Sequence, residues 1–461
     1  MAGASRSEGV ARGALRSAPL PTGPCYASPF RFFRELRADP LGYYRRLVRE
    51  YGDFGCIDVW PRRQIWTTRP EHYRSLLVTN PGNYPKGVAF ERLKAIGGNG
   101  LFFSEGETWR KNRQLISRSF GLAALTRLVP HITAGAGDFA ERMEKRVGEP
   151  SFDIAPEMAR VAMDIACRAF FGDDILERAV PLSAALWETS EYADTAMNSL
   201  FPPPLWVPTR VNRKTRRALA LMFGTIDDLI RDARARGRAD HVLSQLIAAV
   251  DRGDLGAREL RDEMWTLLNA GHETTATTLG FAFSFLSRRR EARERVEAEA
   301  DSLCGRRPGW DDVSRLGFTS RVVLETLRLL PPAWSTSREA MCDDVLDGRR
   351  IPRRAIVQPL FYLTHRHPEF WQDPDRFDPD RFTPERSAGR PPEAFTPFGL
   401  GARRCIGERF ALVEATLVLA SFCQRLEFRL PEGFEVVAGL QGFGSIRALS
   451  GIPMTVHQRE R

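Results

Sequence analysis

The chain is short of cysteine, almost without lysine and free of long apolar runs, and each shortage excludes something. Its seven cysteines, at positions 25, 56, 167, 304, 342, 405 and 423, form no CxxC or Cys/His cluster. That spacing excludes zinc modules and a secreted disulfide framework, and it points to a reducing compartment. No stretch reaches the roughly 20 apolar residues that cross a bilayer, so no stable membrane anchor is expected. Of 67 basic residues only Lys86, Lys94, Lys111, Lys145 and Lys214 are lysine. The arginines are spread along the chain and 58 acids nearly balance them, so the net charge of +9 reflects composition rather than a task. No finger spacing, basic zipper or aromatic RNA-binding motif accompanies it, and no nucleic-acid partner is expected. Repeats, heptads and long Gly/Ser linkers are also missing.

What is present is a chain of 461 residues, 43% of them hydrophobic, enough for a large core in one unit. Residues 1–24 are small and polar, with Arg6, Arg12, Arg16 and one acid, Glu8. They read as a flexible tail, although an Arg/Ser/Ala-rich start also fits a transit peptide. Residues 25–461 read as one domain. Strand patterns at Cys56 to Trp60 and Gln64 to Thr67 predict a small early sheet, and amphipathic segments then predict helices over 106–120, 121–147, 155–171, 175–198, 211–236 and 240–250. Glu259 to Arg288 is the longest helical pattern and would span about 45 Å. Short alternations over 345–357 and 428–456 predict hairpins. The fold class is mainly α with small β-sheets.

One cysteine stands out. Cys405 lies just before the helical pattern 408–424, behind Gly399 and Gly401 and beside Arg403 and Arg404. A helix N-terminus and two guanidinium groups favour a thiolate, so its pKa is expected to be lowered. The alternative is a thiol that merely packs, which is the expected state of the other six.

The run Phe398, Gly401, Arg403, Cys405, Gly407 fills Phe-x-x-Gly-x-Arg-x-Cys-x-Gly, which resembles the haem-binding loop of the cytochrome P-450 family. The resemblance implies a single haem domain with a long central helix, haem b as cofactor and Cys405 as its iron ligand. It also implies that Phe398 screens the sulfur, that Gly401 and Gly407 let backbone approach a flat group, and that Arg403 meets a propionate. Further motifs follow in the family's order. Glu325 and Arg328, at i and i+3, together with Arg381 in Phe-Asp-Pro-Asp-Arg-Phe, resemble its structural Glu-Arg-Arg cluster. Trp109 and Arg113, and Arg338 six residues after Pro332, resemble its propionate contacts.

Ala270-Gly271-His272-Glu273-Thr274 lies in the middle of the long helix. A glycine there costs about 1 kcal/mol against alanine, which suggests a close approach or a distortion. The segment resembles the family's oxygen-binding turn. On that reading Glu273 and Thr274 are the catalytic acid and alcohol that deliver protons, and Ala270 and Gly271 leave room for dioxygen. His272 is read as satisfying a local hydrogen bond rather than ligating iron.

The family resemblance places a substrate pocket at Phe90, Phe103, Phe201, Thr266, Trp334 and Phe443. These segments are apolar, so a hydrophobic terpenoid, polyketide or fatty-acyl substrate is expected. The expected reaction is hydroxylation or epoxidation with dioxygen and two electrons, in a bacterial cytoplasm and in secondary metabolism. Oxidative rearrangement, ring closure and isomerisation remain alternatives, and a non-catalytic haem sensor is a further one. The chain shows no flavin or iron–sulfur segment of its own, so a separate ferredoxin or flavodoxin with its reductase is expected. Arg110, Lys111, Arg118, Arg404 and Arg409 could form its positive docking face.

Overall fold

The computed structural model describes residues 18–172, 176–199, 202–237, 241–441 and 444–459. Helices dominate. The longest, Ala257–Arg288, runs unbroken through the middle of the molecule and is mostly buried. Its start is fixed by Glu259, whose carboxylate accepts the Gly256 N–H at 2.8 Å and pairs with Lys111 at 3.0 Å. Its flanks pack on the helix Ala155–Phe171. Gly271 belongs to that contact, because a Cβ there would lie 3.4 Å from the Phe170 ring. That is an ordinary contact distance, so the mid-helix glycine is neither required by a close approach nor accompanied by a break in the helix.

A five-stranded sheet holds the other side of the core. Its order is Cys25–Tyr26, Phe54–Val59, Arg62–Thr67, Ile356–Pro359, Arg338–Glu339. Phe54–Val59 and Arg62–Thr67 form the expected antiparallel pair, with Ile57 opposite Gln64. Arg62–Thr67 then pairs in parallel with Ile356–Pro359, Gln64 opposite Ile356. The hairpins expected near the C-terminus are Asp344–Leu346 with Arg349–Ile351, and Ala438–Gln441 with Ser445–Ala448.

One expectation changes here. Residues 19–24, assigned to a flexible tail over 1–24, are held in the fold, because the amides of Cys56 and Asp58 donate to the carbonyls of Thr22 and Pro24, and that of Arg350 to Pro19. Residues 22–24 thus line the edge of the five-stranded sheet and Pro19 meets the strand Arg349–Ile351, while residues 1–17 lie outside the described residues. Among the described residues no helix is long and apolar enough to cross a membrane.

Behind the sheet and the helices, Glu325 and Arg328 on Gly317–Leu329 form a fully buried bidentate pair, at 2.7 and 2.8 Å. The Arg381 Nε stands 3.4 Å from Glu325, an ionic contact. Arg328 also donates to the carbonyls of His365, Pro374 and Arg376, and Arg381 to those of Gln372 and Asp373. Two buried arginines held by one carboxylate and several carbonyls fix the segment 365–381 against the helix Gly317–Leu329.

Candidate functional site

A cavity of about 1120 Å³ lies between the central helix, the sheet and the loop that carries Cys405. The loop folds by glycine geometry. Gly401 has a φ of 70° and a Cβ there would stand 2.0 Å from the Leu77 carbonyl oxygen, so only glycine fits. The Cys405 N–H donates to the Phe398 carbonyl at 2.8 Å, closing the loop just before helix Glu408–Cys423. Phe398, Cys405 and Gly407 all line the cavity.

The Cys405 side chain opens to the cavity and is crowded by protein elsewhere. Burial pushes its thiol up, against the opposing pull of the Gly407 N–H, Arg113 and Arg404. This corrects the expectation of a lowered pKa. Desolvation outweighs the helix start and the arginines, and Arg404 is in any case paired with Glu408 at 2.5 Å. A metal cation at the sulfur would reverse the balance.

The cationic side chains converge as the motifs suggest. Arg403 lies over the Trp109 ring, its guanidinium 4.1 Å from the centroid, and pairs with Glu105 at 2.5 Å. Its Nη1 is buried without a partner. Arg338 donates to the Thr336 hydroxyl at 2.7 Å and the Ser337 carbonyl at 2.8 Å. Burial and then Arg403 push Arg338 down to about 10. Arg113 lines the same cavity, and burial lowers it too. Lys86 joins them, a residue that sequence reasoning missed because it belongs to no motif. It lies 4.2 Å from the Phe102 centroid, and burial with Arg338 and Arg403 depresses its pKa strongly. Among the described residues Glu105 is the acid felt by Lys86, Arg338 and Arg403 alike. A cationic excess with an unpartnered buried N–H suits a ligand bearing two carboxylates, as haem does.

On the central helix, Ala270, Gly271, Glu273 and Thr274 line the cavity. The Thr274 hydroxyl donates to the Ala270 carbonyl at 2.8 Å. Glu273 is gripped by Arg447, at 2.7 and 2.5 Å, a partner that sequence reasoning missed. His272 turns away from the cavity; its ring stands 3.1 Å from the Ser183 hydroxyl, and burial pushes it down to about 4. Phe90, Thr266 and Trp334 line the cavity as expected, whereas Phe103 does not. Phe103 is fully buried against Trp265, and its neighbour Phe102 takes the cavity position. Phe201 and Phe443 lie outside the described residues. Of the proposed docking face, Lys111 and Arg404 are engaged by Glu259 and Glu408, while Arg110, Arg118 and Arg409 are exposed without ion pairs among the described residues.

Comparison with known proteins gives the same picture. The family model for Cytochrome P450 matches residues 21–444. Pentalenene oxygenase of Streptomyces avermitilis is 35% identical over 399 residues, which is 84% of this chain and 86% of that one. Cyclooctat-9-en-7-ol 5-monooxygenase of Streptomyces melanosporofaciens is 32% identical, over 82% of this chain and 83% of that one. The crystal structure of the cytochrome P450DA heme domain superposes with a TM-score of 0.85 at 26% identity, covering 96% of this chain and 98% of that one. The chain belongs to the cytochrome P450 family, and is a monooxygenase of the kind that binds haem b through a cysteine thiolate.

Proposed function

We propose that this monooxygenase oxidises a terpenoid. The observation that carries the reading is the large, mainly apolar cavity, which meets Cys405 on one side and Thr274 on another. Support comes from the two Streptomyces relatives, whose names describe oxidation of pentalenene and of cyclooctat-9-en-7-ol. Apolar area supplies the affinity of such a pocket, and a few polar groups set the orientation.

In this reading Cys405 holds the iron, and Trp109, Arg113, Arg338 and Arg403, with Lys86, hold the propionates. Haem, when bound, supplies an iron centre that activates dioxygen with two electrons. The residues of the chain do the rest. Ala270 and Gly271 keep the helix surface low beside the reacting oxygen. Thr274 presents a hydroxyl that can accept and pass a proton. Glu273, paired with Arg447, is the neighbouring carboxylate that can replenish it through water. Glu325, Arg328 and Arg381 keep the cysteine loop in place. Electrons arrive from a separate ferredoxin or flavodoxin, for which Arg110, Arg118 and Arg409 offer exposed positive charge.

The test is an absorption titration of the ferric protein with terpenoid, polyketide and fatty-acyl compounds, followed by product mass from turnover. A high-spin shift with terpenoids and a product one oxygen heavier bear the proposal out. A shift confined to another class overturns it.

A further inference from the structure

One end of the cavity is polar, and the reaction machinery does not use it. Tyr44, Gln64, Gln358 and Ser335 all line the cavity at its sheet end. Gln64 and Gln358 come from adjacent parallel strands, on the same face, with Gln64 opposite Ile356 and Gln358 opposite Trp66. The Tyr44 hydroxyl donates to the Gln358 Oε1 at 2.7 Å. The Gln64 amide donates to the Tyr44 oxygen at 2.5 Å and also to the Gln358 Oε1. The Gln358 amide then donates to the Ser335 Oγ at 3.0 Å. Trp334 closes one side, its ring 5.5 Å from that of Tyr44.

The chain of bonds fixes every direction except at its ends. Among the described residues the Gln64 Oε1 has no donor and the Ser335 hydroxyl hydrogen has no acceptor, and neither atom is sealed from the cavity. Such a pair offers one acceptor and one donor inside a mainly apolar space. Polar groups there are costly to desolvate beneath a hydrocarbon, and favourable beneath a ligand that bonds to them. The four groups are neutral, since burial pushes the Tyr44 phenol up. Two cations on the sheet beside them are paired, Arg62 with Glu339 at 2.9 Å and Arg63 with Asp58 at 3.2 Å. With Arg62 and Arg63 paired, a hydroxyl suits this end better than a carboxylate, because it would satisfy both ends of the chain.

We infer that Gln64 and Ser335, held by Tyr44 and Gln358, form a subsite for a neutral oxygen function, so that the native substrate is a terpenoid already carrying a hydroxyl or carbonyl. The inference rests on the terpenoid reading above and deepens it. It places the enzyme after a step that adds oxygen to the hydrocarbon, either a hydration or an earlier oxygenation.

The test uses the haem-loaded protein and matched polycyclic terpenes, hydrocarbon against alcohol on one skeleton, α-cedrene with cedrol among them. Binding is read from the ferric spin-state change. The alcohol is expected to bind about tenfold tighter than its hydrocarbon in the pairs the pocket accepts, the effect of about one hydrogen bond. Ser335→Ala and Gln64→Leu, made separately, should reduce that preference to within about twofold while leaving hydrocarbon affinity in place. Equal binding of alcohol and hydrocarbon, or a preference that survives both substitutions, overturns the subsite. If no terpene of either kind binds and another lipophilic class does, the terpenoid reading itself fails, and the subsite with it.

Discussion

Arg447, on the hairpin near the C-terminus, clasps the Glu273 carboxylate of the central helix through two nitrogens, at 2.7 and 2.5 Å. The pair is mostly shielded, with 11% and 14% of the two side chains exposed, and Arg447 also lies 4.5 Å from the Trp187 centroid. It ties the oxygen-binding turn to a strand far away in sequence. Arg447→Met should cost about 2 kcal/mol in chemical denaturation, as expected for charge-assisted bonds lost in a shielded place. Combined with Glu273→Gln the cost should be less than the sum, because the two residues share one interaction.

Proton delivery separates Glu273 and Thr274 from the residues that only bind. The double variant Glu273→Gln, Thr274→Ala is expected to keep haem and the substrate spin shift, while product formed per electron consumed falls about tenfold or more. Coupling equal to that of the wild type would remove both residues from the proton path.

Breaking the buried triad should be severe. Arg328→Met takes away the bidentate partner of the fully buried Glu325 carboxylate and leaves it only the 3.4 Å contact to Arg381 and the Asp378 N–H, a loss of about 3 kcal/mol. The expected readout is a lower denaturation midpoint and reduced haem content after expression.

Stability should also carry a signature of Glu263. This fully buried carboxyl accepts the Leu101 N–H at 2.9 Å and the Asn112 amide at 2.7 Å. Burial nonetheless pushes it up, from 4.5 to about 7. The folded state therefore holds a proton that the unfolded state has lost between those values, and stability falls as pH rises through that window. Wild type should lose up to about 3 kcal/mol relative to Glu263→Gln between the lower and upper ends of that range. A pH-independent difference between the two proteins would contradict the assignment.

The propionate assignment extends to a residue outside every motif. Lys86→Met and Arg403→Gln should each speed haem transfer to an acceptor globin by about tenfold, the loss of one charge-assisted bond. Unchanged transfer in Lys86→Met would return that lysine to a packing role beside Phe90 and Phe102.

Contiguous features were legible before the fold was known. The cysteine loop, the Glu325–Arg328 pair and the central helix each lie within one stretch of chain, so residue spacing carries their geometry. Arg381 joined Glu325 as the motif order implied. What the sequence hid depends on pairing across distance. Gln64 and Gln358 meet only because two parallel strands align, with Gln64 opposite Ile356, and no local pattern announces that register. Arg447 reaches Glu273 by the same kind of long-range contact. Phe103 was misplaced by one residue, since spacing in a turn does not say which of two adjacent rings faces inward. The Cys405 thiol was expected to acidify from its neighbours in the chain, yet burial, a property of the whole fold, outweighs them.

The most direct test of the account is the absorption spectrum of the reduced protein under carbon monoxide, wild type beside Cys405→His. The account predicts the strongly red-shifted Soret band of a thiolate-bound haem in the wild type, and its replacement by an imidazole-type band in the variant with haem retained. A wild type that binds haem without that band, or a variant that keeps it, would contradict Cys405 as the iron ligand.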